Sequence, residues 1–250
     1  MLANIIEFSA DELITNQKDL RPIPCKLNIP DWYKELDHTA TLRTVKGCMP
    51  FLDTLTTGYL LKIPNDSYLA HNIVDSDTGE KKCIWESPVN TLPKKTKEKI
   101  NINVSGLSSY HPIEQLGEKC PFVKKNNWFS FLKILNPWFI KTPPGYSCLF
   151  LPPLNNQDDR FSIIPGIVDT DTFDYEVNFP IIINGDKYPI LETTIKKGTP
   201  YVQVIPFKRD AWKLKIKTKS EKEIIKHKFN FMNTLLHNYK NNWWHRKSWK

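Results

Sequence analysis

Apolar residues along this chain fall in short runs separated by polar or proline-glycine breaks, and most of the runs are too short to be helices. The stretch "NNWFSFLKILNPWFIKTPPGYSCLFLPPL" holds three of them, at 128–134, 138–141 and 146–151. Their β-branched and aromatic content with a period near two is the mark of strands. Pro143-Pro144-Gly145 separates the last two, since proline fixes φ and glycine permits the reversal. After a polar loop at 155–160, "FSIIPGIVDTD" and "EVNFPIIIN" predict further strands, with a turn at Gly185-Asp186, and "TTIKKGTPYVQVIPF" predicts apolar runs on either side of a Lys-Lys-Gly turn. Upstream, "TVKGCMPFLDTLTTGYLLKIPNDSYLAHN" and "KKCIWES" have the same texture, and "KKTKEK" at 94–99 is a charged loop.

Only residues 220–239 show a clear helical spacing. Ser220 and Glu223 form a capping box there, and Ile224, Ile225, Met232, Leu235, Leu236 and Tyr239 lie along one side. The pattern predicts a mainly β chain. It comprises an N-terminal arm and proline-rich linker over 1–43, a strand-dominated body over 44–207, and a basic helix with a tryptophan-rich tail over 208–250. In the arm, Ile29, Trp32, Tyr33 and Leu36 are placed to pin "RPIPCKLNIPDWYKEL" onto the body.

Composition narrows this further. At 250 residues and 40% apolar the chain can bury a sizeable core, and 19 Pro against 9 Gly favours strands and turns over long helices. No run approaches the roughly 18 apolar residues of a membrane span, and "MLANIIEFSADEL" has acids where a secretion signal needs a basic start. The expected location is the cytoplasm. Five widely spaced cysteines with no C-x-x-C pair read as reduced thiols. His111 and Cys120 share one loop-like segment, but neither has a second ligand at metal spacing, so no metal site is expected.

The net charge of +8 is concentrated in the tail, because residues 206–250 hold thirteen Lys or Arg against three acids and the remainder is slightly acidic. The end, "NNWWHRKSWK", interleaves Trp243, Trp244 and Trp249 with Arg246 and Lys247. Cations mixed with aromatic rings suit single-stranded nucleic acid, where phosphates need charge and bases need stacking faces. The same residues suit docking onto the body or a neighbouring subunit, or an anionic membrane surface. All three remain open on sequence.

Three stretches, in order, resemble the trimeric dUTPase and dCTP deaminase superfamily, which has the β-clip fold. "PPGYSCLFLPP" is similar to its proline-glycine turn and the strand leading to the phosphate-binding loop. "GIVDTD" is similar to its G-[VI]-[VI]-D-x-D motif, and "IKKGTPYVQVIPF" to its closing element, with Gly198 and Gln203 in matching places. The likeness covers about 141–207. "TTGYLLKI" at 56–63 is similar to its first motif, which makes 70–121 an insertion. The chain as a whole also looks like an uncharacterised protein group that recurs in marine tailed phages and some bacteria, which implies host cytoplasm, or virion if viral, as its place.

The resemblance implies a role for Asp169 as the carboxylate that activates the attacking water. It points to Asp171 and Gln203 as ligand contacts, with Lys124, Lys125 or Arg160 to be recruited as phosphate contacts and Mg2+ needed only if the chain is an enzyme. Other parts of that machinery are unmatched. Thr172 replaces the tyrosine under the sugar, "PPLNNQ" lacks the phosphate-gripping Arg-Ser pair, and Leu60 stands where the magnesium aspartate belongs. The deaminase glutamate, expected near Ile181, has no counterpart in "NFPIIIN". The expectation is a non-catalytic protein acting by binding, as a virion or assembly component or an accessory factor with a phage or host protein partner. Asp169 and Asp171 would then cap the turn that starts the next strand. The alternative is a divergent nucleotide enzyme or sensor that retains Asp169. The resemblance also implies a homotrimer, and Trp128, Trp138, Phe139, Trp243, Trp244 and Trp249 are the aromatic residues available to an interface.

Overall fold

The structure is a computed structural model that describes residues 4–39, 41–87, 110–155, 158–232 and 238–250. Its strands are β1 (Glu7–Ser9), β2 (Ile23–Pro24), β3 (Tyr59–Lys62), β4 (Ser67–Val74), β5 (Lys81–Glu86), β6 (Tyr110–His111) and β7 (Phe131–Ile134). They continue as β8 (Phe139–Lys141), β9 (Tyr146–Leu151), β10 (Phe161–Ile163), β11 (Gly166–Val168), β12 (Phe179–Ile183), β13 (Leu191–Ile195) and β14 (Pro200–Lys208). The α-helices are α1 (Glu12–Thr15), α2 (Asp31–Glu35), α3 (Met49–Thr56), α4 (Pro121–Lys125), α5 (Glu221–Met232) and α6 (Asn238–Asn242). The protein is mainly β, as the alternating pattern predicts.

The strands form four antiparallel sheets, in the orders β11-β9-β14-β3-β2, β10-β12-β7-β6, β13-β4-β5 and β1-β8. All four contribute to one core, the smallest through Ile140 of β8. Leu61 of β3, Leu69 of β4, Trp85 of β5, Ile134 of β7, Phe150 of β9, Ile181 of β12 and Val204 of β14 belong to a single buried cluster, and Phe8 of β1 packs against it. A smaller cluster of Val123, Phe131 and Ile182 lies under α4.

Strand β14 occupies the middle of the largest sheet, hydrogen-bonded to β3 on one side and β9 on the other. Residues 201–204 are buried on both faces, which explains why "YVQV" is a nearly continuous apolar run instead of a clean alternation. Gly58, just before β3, has φ +76°, and a Cβ there would collide with the Val204 carbonyl oxygen. Only glycine lets the chain approach β14 so closely at that angle.

The expected arm is part of the body. β1 pairs with β8, β2 pairs with β3, and Leu20, Cys25 and Tyr33 are buried, with the Tyr33 ring stacked on Phe51. Nor is the stretch from Ala70 onward a detached excursion at its start. Ala70 lies mid-strand in β4, opposite Glu192 of β13 and Ile84 of β5, and is fully buried. Residues 88–109 of the expected insertion lie outside the described residues. Trp138, expected to be available to an interface, is instead 3% exposed and belongs to the core. The capping box at Ser220 forms as predicted, with Glu223 accepting from the Ser220 amide at 2.8 Å, although the helix it opens ends at Met232 within the described residues. Leu235 and Leu236 lie outside them.

Among the core polar groups, His71 is the most constrained. Its Nε2 accepts from Asn127 Nδ2 at 3.1 Å, which puts the proton on Nδ1, facing Cys83 Sγ at 3.5 Å. Burial pushes this imidazole down to about 4. The native ring is therefore neutral where the unfolded one, at its ordinary 6.5, is protonated, so the contribution is complete above pH 6.5 and is lost as pH falls toward 4. Urea unfolding should show the free energy dropping by up to about 3 kcal/mol across that interval. His71→Gln should flatten the drop, and an unchanged slope in that variant would remove the assignment.

Candidate functional site

The sequence directs attention to the turn after β11, where Asp169 and Asp171 stand. Strand β11 pairs antiparallel with β9, Val168 opposite Cys148, and so brings these aspartates beside the turn at residues 142–146 that leads into β9. Two threonines seal the junction: Thr142 Oγ1 and Thr170 Oγ1 share a buried hydrogen bond of 2.8 Å, and Thr170 Oγ1 also reaches Cys148 Sγ at 3.3 Å.

The side-chain oxygens do not cap their own turn, as the sequence suggests, but reach across to the preceding one. Asp171 Oδ2 accepts the Gly145 amide at 2.8 Å, and Asp169 Oδ1 accepts the Ser147 hydroxyl at 2.6 Å. A third residue closes the arrangement. Arg209, at the end of β14, lays its guanidinium fork on both oxygens of Asp171, NH1 lying 2.8 Å from Oδ1, and reaches Asp169 Oδ1 at 3.3 Å. The same NH1 donates to Ser147 Oγ and to the Tyr146 carbonyl, each at 3.0 Å, while the Arg209 amide donates to the Gly145 carbonyl at 2.8 Å.

The Asp171 side chain is 5% exposed, and the Arg209 guanidinium, assisted by the Gly145 amide, holds its carboxyl down to about 2. A fork-on-carboxylate pair is among the stronger polar contacts available, and its geometry fixes both partners. Arg209 has no place among the residues singled out from sequence. Its only signal there is position: it directly follows the apolar run of β14, whose register on β9 sets Lys208 opposite Tyr146.

The remaining candidates lie elsewhere. Arg160 directs its guanidinium to Asp158, with bonds of 2.9 and 2.7 Å, and to Thr193 Oγ1 of β13 at 2.9 Å. Its neighbours Asp158, Asp159 and Phe161 line a mixed cavity of about 220 Å³ with Lys125, Pro152 and Tyr201 among others, and Asp159 is in turn bound by Lys187 and Tyr188. Gln203 is buried in β14. Its Oε1 accepts the Leu154 amide at 2.9 Å, and its Nε2 donates to the carbonyls of Thr54 and Thr57 at 3.1 and 2.7 Å. That amide staples the loop after β9 to the end of α3, so the structure does not bring Gln203 or Arg160 to the aspartates. Among the described residues no group of three or more His, Cys, Asp or Glu is arranged to hold a metal ion.

The basic tail returns to the body. Trp244 Nε1 donates to both oxygens of Asp53 on α3 at 3.1–3.2 Å, and Lys247 Nζ meets the same carboxylate at 2.5 Å. Trp249 packs edge-on against Tyr59, ring centroids 6.0 Å apart, and the Tyr59 hydroxyl donates to the Lys250 carbonyl at 3.2 Å. Trp243 and Arg246 are exposed. Three of the five tail residues considered for nucleic acid thus have contacts on the protein's own α3 and β3.

No protein-family model matches this chain, and no curated protein matches its sequence. No helix among the described residues is long and apolar enough to cross a membrane.

Two outcomes follow from these contacts. Asp171 is depressed in the native state relative to its ordinary 3.8, so its contribution is present above pH 4 and is lost as pH falls toward 2. Thermal melts should show Asp171→Asn lowering the midpoint by several degrees at pH 7 and by much less at pH 2.5, and an equal loss at both would refute the ion-pair account. Deleting residues 243–250 should also lower the midpoint at pH 7, with little dependence on salt, because rings as well as charges hold the tail. Unchanged melting after the deletion would refute its docking.

Proposed function

We propose that this protein acts by binding and not by catalysis, with a dUTPase-like β-clip body and the segment after Arg209 as its binding element. The observation that carries this reading is the Arg209 lock. A carboxylate serving as general base needs a free lone pair turned toward a water, and phosphoryl chemistry needs cations turned toward the phosphates. Asp171 is buried and forked by Arg209, Asp169 is more exposed and accepts from Ser147 and Arg209 through Oδ1 alone, and Arg209, the cation nearest to both in the contacts described, is engaged by the carboxylates. The parts that would do chemistry instead hold the root of the C-terminal segment against the turn at Gly145.

Beyond that root the chain carries large apolar side chains in water. Trp212, Leu214 and Ile216 are 89%, 90% and 86% exposed, and Ile225 and Phe229 of α5 are exposed as well. Clusters of this kind on a soluble surface mark interaction sites. A homo-oligomer, a trimer by the resemblance, is the assembly that fits the reading, in a phage or viral protein that serves as a virion or assembly component.

Incubation with dUTP or dCTP and Mg2+ should release neither pyrophosphate nor ammonia, while sedimentation should show an oligomer that Trp212→Ser with Leu214→Ser dissociates. Release at ordinary enzyme rates that Asp169→Asn abolishes would establish the nucleotide-enzyme reading instead.

A further inference from the structure

The segment that follows the lock has a regular design. In "AWKLKIKTK", Trp212, Leu214 and Ile216 alternate with Lys213, Lys215, Lys217 and Lys219. In an extended chain, alternate residues fall on opposite sides, so over 212–217 one side is apolar and the other cationic. This is the pattern of a strand, yet residues 209–220 carry no strand assignment and none of their apolar side chains is covered. The segment is held at its root by the Arg209 lock, and the chain beyond α5 comes back to the body at Asp53 and Tyr59. The segment is therefore a tethered arm whose apolar side is presented to solvent.

The body offers a surface of matching character. Strand β11 is the end strand of the five-stranded sheet and pairs, among the described residues, only with β9. On it, Ile167 is 63% exposed, and just beyond it Phe173 and Tyr175 pack edge to face, centroids 5.8 Å apart, with Tyr175 71% exposed. Around these apolar groups Asp174 and Glu176 are exposed. An unpaired strand edge, an apolar face and an acidic surround are the complements of the arm's unpaired backbone, apolar face and lysines.

The other apolar edge is less suitable. Strand β5 ends the three-stranded sheet beside a groove lined by Cys83, Ile84, Trp85, Phe129 and Leu132, but there Lys81 and Lys82, of the arm's sign, outnumber the one carboxylate, Glu86.

We propose, resting on the reading that the arm is the binding element, that the arm of one copy adds as a strand to the β11 edge of a second copy, its lysines meeting Asp174 and Glu176. The second copy is the occupant because each molecule carries both halves uncovered: its own arm, although rooted beside Asp169 and Asp171, leaves its own Ile167 and Tyr175 in water. Strand addition supplies backbone hydrogen bonds to the open edge, and the alternating side chains supply specificity. Because arm and edge are different surfaces, the contact is head-to-tail. It closes as a ring, or reciprocally as a pair exchanging arms.

The test uses the full chain with exposed Cys48 replaced by serine. One preparation carries Leu214→Cys and a second, tagged, carries Ile167→Cys. Under mild oxidation the mixture should give a disulfide-linked product containing one chain of each kind, which neither preparation forms alone. Reversing charge at the edge with Asp174→Lys and Glu176→Lys should weaken assembly about tenfold, and Lys213→Glu with Lys215→Glu should restore it. The charge exchange is at exposed positions and does not depend on the cysteine variants folding identically.

An oligomer with no mixed product and no response to charge reversal would overturn this pairing while leaving the arm-mediated assembly intact. A monomer in which Leu214→Cys and Ile167→Cys on one chain link internally would show the arm closing on its own edge and would overturn both. So would a monomer whose arm instead binds phosphatidylserine vesicles or single-stranded DNA in a salt-sensitive manner.

Discussion

The double pairing of β14 is the constraint on which the rest of the molecule depends. A strand hydrogen-bonded along both edges and buried on both faces leaves little freedom to the elements around it, and β3, β9, α3 and the loop after β9 all take their positions from it. In its buried stretch the Gln203 amide is tolerated because three backbone groups satisfy it, where an unsatisfied amide would cost about 1–3 kcal/mol, while the buried Tyr201 hydroxyl has no hydrogen-bond partner among the described residues. The strand's last residues then carry Arg209 to the turn at Gly145. One strand thus sets the core, the loop geometry and the point from which the C-terminal segment departs.

That arrangement changes the meaning of the aspartates. Two carboxylates near a glycine turn suggest hydrolysis when considered as residue types, because the same groups serve as bases and as metal ligands. In the fold they are acceptors for Ser147, Gly145 and Arg209, and Asp171 is held strongly in its ionised form. A buried carboxylate forked by a guanidinium, as Asp171 is, makes a good anchor and a poor proton acceptor. The junction has mechanical consequences as well, since any load on the arm reaches the body first through the Arg209 fork.

The tail divides its aromatic residues between two environments. Trp244 and Trp249 lie against α3 and β3, where an indole N–H finds a carboxylate and a ring finds Tyr59. Trp212 stands almost fully in water, on the same basic extension. This contrast separates residues that fasten the segment from residues left in solvent.

Much of this was legible in the chain. The period-two runs and their proline and glycine breaks located β7, β8, β9, β12, β13 and β14 to within a few residues, because half-buried strands impose alternation and turns impose φ. The Ser220–Glu223 box marked the start of α5 for the equally local reason that a helix must satisfy its first amides. Local rules of this kind are written in adjacent residues. What the chain alone did not decide was which strands pair: that Ala70 sits mid-sheet between β13 and β5, that Trp138 is core, and that Arg209 meets Asp171. These contacts join residues far apart in sequence, Arg209 and Asp171 through two different strands that share β9 as a neighbour. Their side chains acquire roles only when strand register sets them opposite one another, and register is a property of the packed sheets.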